Sequence, residues 1–571
     1  MLNIIRQTIV VFSLIGGLAA VMYAAGDIAP RKAKRVQETV KIRAVPWGPT
    51  ETQVNRAKRR VERDPDLQKF LKDTRYRLVN FEYVDTDGAV QQAPSRFRVY
   101  FYDYTNDRTI IAEGDFAAME PLTIREEYFD PGVADEELTA AFELIKNGAE
   151  FGPLYKSNEL KIGDAMPAIS NLNGERLVNI SLKYADGRRE IVGISFKNNK
   201  IIHYPDNAPT DSRAAPQSCG IPSAGQESTA NGTPGQFSLV VTRGITTLWE
   251  MTVIRPSASS GNEGERSGIE IRDVKYRGKS VLKRAHAPIL NVKYAAGVQC
   301  GPYRDWQYQE GMFDAPSTNA TDVADGVRIL ANGQIATTAV ESGNDTGNFR
   351  GVAIYRQGTD TVLVSEMNAG WYRYVMEWRF DDDGTIRPRY GFGATDNSCV
   401  CFNHYHHVYW RFDFDIVTPA NTIFQVKDSN SAPRYPISNE VALRREDLGP
   451  TRRSFMIKNS AGREAYILVP SKLDGNWSDG DPVYGQGDFW FLKFQGTPAS
   501  PDELNDPNTS TAANLAPWVN NESLVGQDIV IWYAAHFSHI DGANRFDPDH
   551  RSPNILSGDH VVGPDIKPVR W

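Results

Sequence analysis

The chain has 571 residues, 41% hydrophobic and 11% aromatic, with 46 glycines, 33 prolines and a formal net charge of −8. That length is too great for one core and points to three or four units of about 150 residues. The composition excludes a disordered or coiled chain, and an acidic balance without a basic block in the folded part excludes nucleic acid as the main partner.

Residues 8–25 form an apolar run, preceded by Arg6 and followed by Arg31-Lys32-Ala33-Lys34-Arg35. The run suits a cleaved signal peptide or an uncleaved membrane anchor, so residues 1–27 are assigned to one or the other. The basic cluster after it opposes simple export by the positive-inside rule. The β-rich remainder, however, offers no partner for so apolar a buried helix, which makes a periplasmic or extracellular location the expectation.

The fold class expected is mainly β: a large antiparallel β-sandwich over residues 237–571, preceded by two small α+β domains at 45–150 and 151–205 and a linker at 206–236. In the first small domain, Asp64-Pro65-Asp66 is a helix start signal within a helical stretch from Arg59 to Lys72. Alternating apolar residues make strands of Tyr76 to Val84, Ser95 to Tyr104 and Arg108 to Ala117, and Ala134 to Asn147 reads as a helix. In the second, Arg176 to Tyr184 and Glu190 to Phe196 flank an Ala185-Asp186-Gly187 turn. Pro, Asp, Ser, Gly and Asn then dominate to about Gln236, and short alternating strands follow to the C-terminus.

The strand from Asn403 to Ile416 organises the whole. Its period of two puts His404, His406, Val408, Trp410, Phe412, Phe414 and Ile416 on one face, and Tyr405, His407, Tyr409, Arg411, Asp413 and Asp415 on the other. Residues two apart on a strand stand roughly 6.5–7 Å from each other, within reach of one ion. Neutral imidazole favours a transition metal, so His404 and His406 are candidate ligands inside a sandwich. The strand from Asp528 to Tyr533 leads to His536 and His539, either of which could supply a third imidazole. The strand from Trp371 to Phe380 presents Tyr372, Tyr374, Met376, Trp378 and Phe380 on one face. The four cysteines, Cys219, Cys300, Cys399 and Cys401, allow one or two disulfides, and Cys399-Val400-Cys401, too close for an ordinary bridge, reads as two small core residues, with a soft metal site as the alternative.

Together these stretches resemble the copper amine oxidases, which carry topaquinone made from one of their own tyrosines. The resemblance rests on His-x-His followed by Arg-x-Asp-x-Asp, on the late Asp-x-x-x-Trp strand with a histidine eleven residues after its Asp, and on the tyrosine strand ending in Asp-Gly-Thr-Ile. It covers about Phe237 to the end, as the copper-binding catalytic domain, and more loosely the two small domains, which would be the family's N2-like and N3-like units. It implies copper on His404, His406 and His539, topaquinone from Tyr372, Asp305 as catalytic base and Tyr303 as gate. It also implies a second divalent cation, calcium or manganese, on Asp413, Asp415 and Asp528 with the carbonyls of Phe414 and Ile529. The activity implied is oxidation of a small primary amine by dioxygen to aldehyde, ammonia and hydrogen peroxide, in a homodimer. The alternative is a copper-binding protein on the same fold that lacks the quinone.

Two places depart from the family's pattern. Where the family has Asn-Tyr-(Asp/Glu)-Tyr, this chain has Trp371-Tyr372-Arg373-Tyr374, and strand phase turns Trp371 and Arg373 away from Tyr372, toward the side of Glu377 and Asp381. After Asp305 the family's glycines are replaced by Trp306-Gln307-Tyr308-Gln309, which implies a narrower substrate channel.

Overall fold

The computed structural model describes residues 39–84, 95–186, 188–204, 220–222, 235–259, 266–294, 303–395, 397, 399–401, 404–427, 434–471, 474–475, 487–495, 515–539 and 561–571. The apolar run at 8–25 and most of the expected linker lie outside these residues. No described helix is long and apolar enough to cross a membrane.

Near the start of the described chain, the expected single helix is two. Thr50 and Gln53 form a capping box that begins Glu51–Glu62, and Asp64 caps a second helix, Pro65–Phe70. The break falls at Asp64-Pro65 because a proline takes the first helical turn and has no N–H to continue the preceding ladder. The start of the first helix was missed because its signal lies in Thr50 and Gln53, upstream of the conspicuous Asp-Pro-Asp. Behind these helices, Tyr76–Val84, Arg96–Asp103, Arg108–Asp115 and Thr123–Glu127 make one four-stranded sheet, and the helix Asp135–Asn147 follows. A second four-stranded sheet runs Leu160–Leu172, Glu175–Tyr184, Arg189–Ser195 and Lys200–His203. Buried Arg176 pairs with buried Glu137 at 2.6 Å and so ties the second sheet to that helix.

Two large sheets carry the rest. One has ten strands: in order, Val40–Pro46, Gln236–Arg243, Thr246–Ile254, Glu270–Tyr276, Lys279–Tyr294, His404–Phe414, Ile529–His539, Phe489–Lys493 and Val441–Leu443, with Tyr303–Arg304 added beside Lys279–Tyr294. The other has eleven, in which Asp360–Ala369, Tyr372–Asp381 and Ile386–Ala394 are adjacent. Side chains from both sheets merge into one apolar core. Indole N–H groups bridge them: Trp378 donates to the Ile269 carbonyl and Trp249 to the Asp381 carbonyl, each at 2.9 Å.

The first sheet is buried on its far side as well, where Ile289, Tyr409, Trp490, Leu492, Leu515, Trp518 and Trp532 form a second core. Hence the His404–Phe414 strand alternates between two interiors rather than between core and solvent. Cys399 and Cys401, expected as small core residues, are both disulfide-bonded in the short 3-10 turn that precedes this strand.

Candidate metal centre and active site

Antiparallel pairing places His404 directly opposite His539 and opposite Tyr294 on the other flank, with His406 two residues further along. All three histidines point between the two large sheets and are buried. Nε2 of His404 lies 3.2 Å from Nε2 of His406 and 3.2 Å from Nδ1 of His539. These three nitrogens form one cluster able to hold an ion. Burial, with the neighbouring imidazoles adding to it, holds His406 and His539 well below the usual histidine range, so both are neutral and keep lone pairs for a metal. A donor set made only of imidazoles fits copper or zinc and does not fit calcium or magnesium. Phe392 stacks on the His406 ring at 3.9 Å between centroids and fixes its plane.

The facing sheet brings Tyr372 to this cluster. Its hydroxyl lies 2.6 Å from His404 Nε2 and 2.7 Å from the Tyr294 hydroxyl. Tyr374, two residues on and in the same phase, sits 3.1 Å from His406 Nδ1 and donates to Asp305 Oδ2. Asp305 follows the short strand that adds to Lys279–Tyr294, and its N–H bonds the Leu290 carbonyl at 2.9 Å. It is fully buried, which pushes its carboxyl up to about 7 while the bond from Tyr374 pulls the other way. Its Oδ1 meets no hydrogen-bond donor among the described residues. The backbone of Tyr303 is in that strand, and its side chain lies outside the described residues. Trp306 tucks its indole against the Asn368 carbonyl and Gln309 Oε1, both at 2.9 Å.

Trp371 does not turn away from Tyr372 as strand phase implied. Ala369 pairs with Tyr372, so Gly370 and Trp371 are the two-residue loop of a hairpin, and Gly370 takes the positive φ of 56° that such a loop requires. A loop residue is free of the alternation, and the Trp371 indole reaches inward to donate to Tyr294 Oη at 2.9 Å. Arg373 does face away, but its partner is Asp345, through bonds of 2.6 and 2.9 Å, rather than Glu377 or Asp381. Sequence reading missed Asp345 because it comes from a distant loop.

His536 is separate from the cluster at His404. It pairs with His407 on the reverse face of the same sheet, Nδ1 to Nδ1 at 2.7 Å, and its Nε2 meets Asp488 at 3.0 Å. Further along, Asp413, Asp415 and Asp528 gather their carboxylates into a second candidate cation site. Burial and the charge of Asp413 push Asp415 up to about 7 and Asp528 up to about 8. Phe414 and Ile529, whose carbonyls were expected to join them, are paired across the strands at the same level.

These features define a β-sandwich protein with a buried three-histidine centre facing a tyrosine. No protein-family model matches the chain, and no curated protein matches it in sequence. Its structure is similar to a copper-containing benzylamine oxidase from Hansenula polymorpha, with a TM-score of 0.55 at 13% identity, over 93% of this chain and 93% of that one. It is also similar to a lysyl oxidase from Pichia pastoris, with a TM-score of 0.53 at 12% identity over 91% and 89% of the chains, and to an amine oxidase from Aspergillus nidulans, with a TM-score of 0.52 at 15% identity over 92% and 88%. The chain has the copper amine oxidase fold.

Proposed function

We propose that this chain is a copper-dependent oxidase of primary amines whose cofactor is topaquinone made from its own Tyr372, releasing aldehyde, ammonia and hydrogen peroxide. The observation that carries the reading is the Tyr372 hydroxyl 2.6 Å from a nitrogen of a buried imidazole triad. His404, His406 and His539 would hold copper, the metal such a donor set suits and the one able to bring dioxygen to an adjacent phenol. The quinone supplies an electrophilic carbonyl and a two-electron sink that no amino-acid side chain offers.

The chain's own residues do the acid–base work. Asp305 takes the proton from the carbon that bears the amine, and a carboxyl near 7 is matched to that task at neutral pH. Tyr374, held protonated by burial and by the Asp305 charge, fixes Oδ2 and leaves Oδ1 for the substrate. Tyr303 is assigned as the gate. Asp413, Asp415 and Asp528, with the Phe414 and Ile529 carbonyls, would hold calcium or manganese, whose charge relieves three crowded carboxylates. The same reading makes the protein an exported or anchored homodimer.

Reconstitution with copper under air tests it. Colour and reaction with phenylhydrazine are expected, and Tyr372→Phe abolishes both. Copper-loaded protein that stays colourless would instead support a copper-binding protein on this fold without the quinone.

A further inference from the structure

The hydrogen bonds beside Tyr372 form a chain with a fixed beginning. Trp371 Nε1 donates to Tyr294 Oη at 2.9 Å, Tyr294 Oη lies 2.7 Å from Tyr372 Oη, and Tyr372 Oη lies 2.6 Å from His404 Nε2. All four side chains are buried. An indole nitrogen can only donate, so it occupies one lone pair of Tyr294 and favours the arrangement in which the Tyr294 hydrogen points to Tyr372. Two hydroxyls that are equivalent by themselves thereby acquire a preferred order, from Trp371 to Tyr294 to Tyr372 to His404.

Both ends of this order are anchored. The Trp371 carbonyl accepts from Thr395 N at 2.7 Å and Thr395 Oγ1 at 3.0 Å, which secures the hairpin loop that presents the indole. Tyr294 is the cross-strand neighbour of His404, and their rings lie 4.2 Å apart between centroids at 33°. Neither ring can swing without breaking a buried contact.

We propose that Trp371 is a positioning residue: its N–H orients Tyr294 as the donor to Tyr372 and so keeps the Tyr372 oxygen at the imidazole cluster when a metal takes the lone pair of His404 Nε2. The orientation is a property of the metal-free chain. Its effect on how fast Tyr372 is converted rests on the oxidase reading above.

The test uses the full metal-free chain carrying tyrosine labelled with carbon-13 at Cζ, with the Tyr372 and Tyr294 signals identified by their loss in Tyr372→Phe and Tyr294→Phe. Trp371→Phe keeps an aromatic ring without the donor and is expected to shift both signals. Adding Trp371→Phe to Tyr294→Phe is expected to move the Tyr372 signal no further, because the two residues act through one chain. With copper and air, Trp371→Phe is expected to slow the appearance of phenylhydrazine-reactive colour by about tenfold. A Tyr372 signal unmoved by Trp371→Phe, or effects of the two substitutions that simply add, would overturn the proposal. Should Trp371→Phe fail to fold, Tyr294→Phe carries the test, and an unmoved Tyr372 signal there is equally fatal. Signals that shift as expected in a protein that never colours would leave the positioning role standing and remove the oxidase reading.

Discussion

The hydroxyl of Tyr374 donates to Asp305 Oδ2. Because the same hydroxyl sits 3.1 Å from His406 Nδ1, one phenol joins the proposed base to a proposed metal ligand. That bond lowers the Asp305 pKa against the larger effect of burial. Asp305 has to be ionised to accept a proton, so kcat/KM is expected to rise with pH through about 7 and level off above it. Tyr374→Phe removes the lowering contact and should move this limb to higher pH, which a pH–rate profile of the two proteins checks.

Replacing the base itself is a sharper cut. Asp305→Asn is expected to lower kcat by roughly 10²–10⁴-fold while copper content and phenylhydrazine reactivity persist. The carboxamide fills the same buried space, so loss of copper as well would mean that Asp305 maintains the metal site rather than the chemistry.

For Asp415 and Asp528 in the carboxylate cluster, the sign follows from their raised values. A carboxyl whose folded pKa lies above its unfolded one binds more protons when folded, so stability falls as pH rises between those values. For Asp415 and Asp528 that window runs from the ordinary carboxyl range up to about 7 and about 8. Without divalent cations, Tm is therefore expected to fall across this window, and added calcium should restore more at its upper end than below it. Asp528→Asn should abolish the calcium effect. A Tm insensitive to calcium throughout would remove the second cation site.

His536 and His539 were equivalent candidates on spacing, and their surroundings separate them. His539→Ala should lose copper. His536→Phe should keep it and lower stability, because it removes the imidazole 3.0 Å from buried Asp488, as read from denaturant unfolding together with metal analysis.

What the sequence disclosed followed from periodicity. Alternation along Asn403–Ile416 put His404 and His406 on one face, and the same phase put Tyr372 beside Tyr374, because inside a strand the backbone leaves a side chain no other choice. It misled where that constraint lapses: Trp371 looked like a strand residue and is a loop residue, and the helix at Glu51–Glu62 starts from a cap rather than from its apolar pattern. Tyr294, Asp345 and Asp488 escaped notice for another reason. Each acquires its partner through strand order and loop placement across long stretches of chain, which local spacing does not encode.

The most direct measurement is the mass of the tryptic peptide that contains residue 372, taken from protein loaded with copper under air. The account predicts a residue that has gained two oxygen atoms and lost two hydrogens, absent from protein kept metal-free. An unmodified tyrosine in fully copper-loaded, air-exposed protein would contradict it.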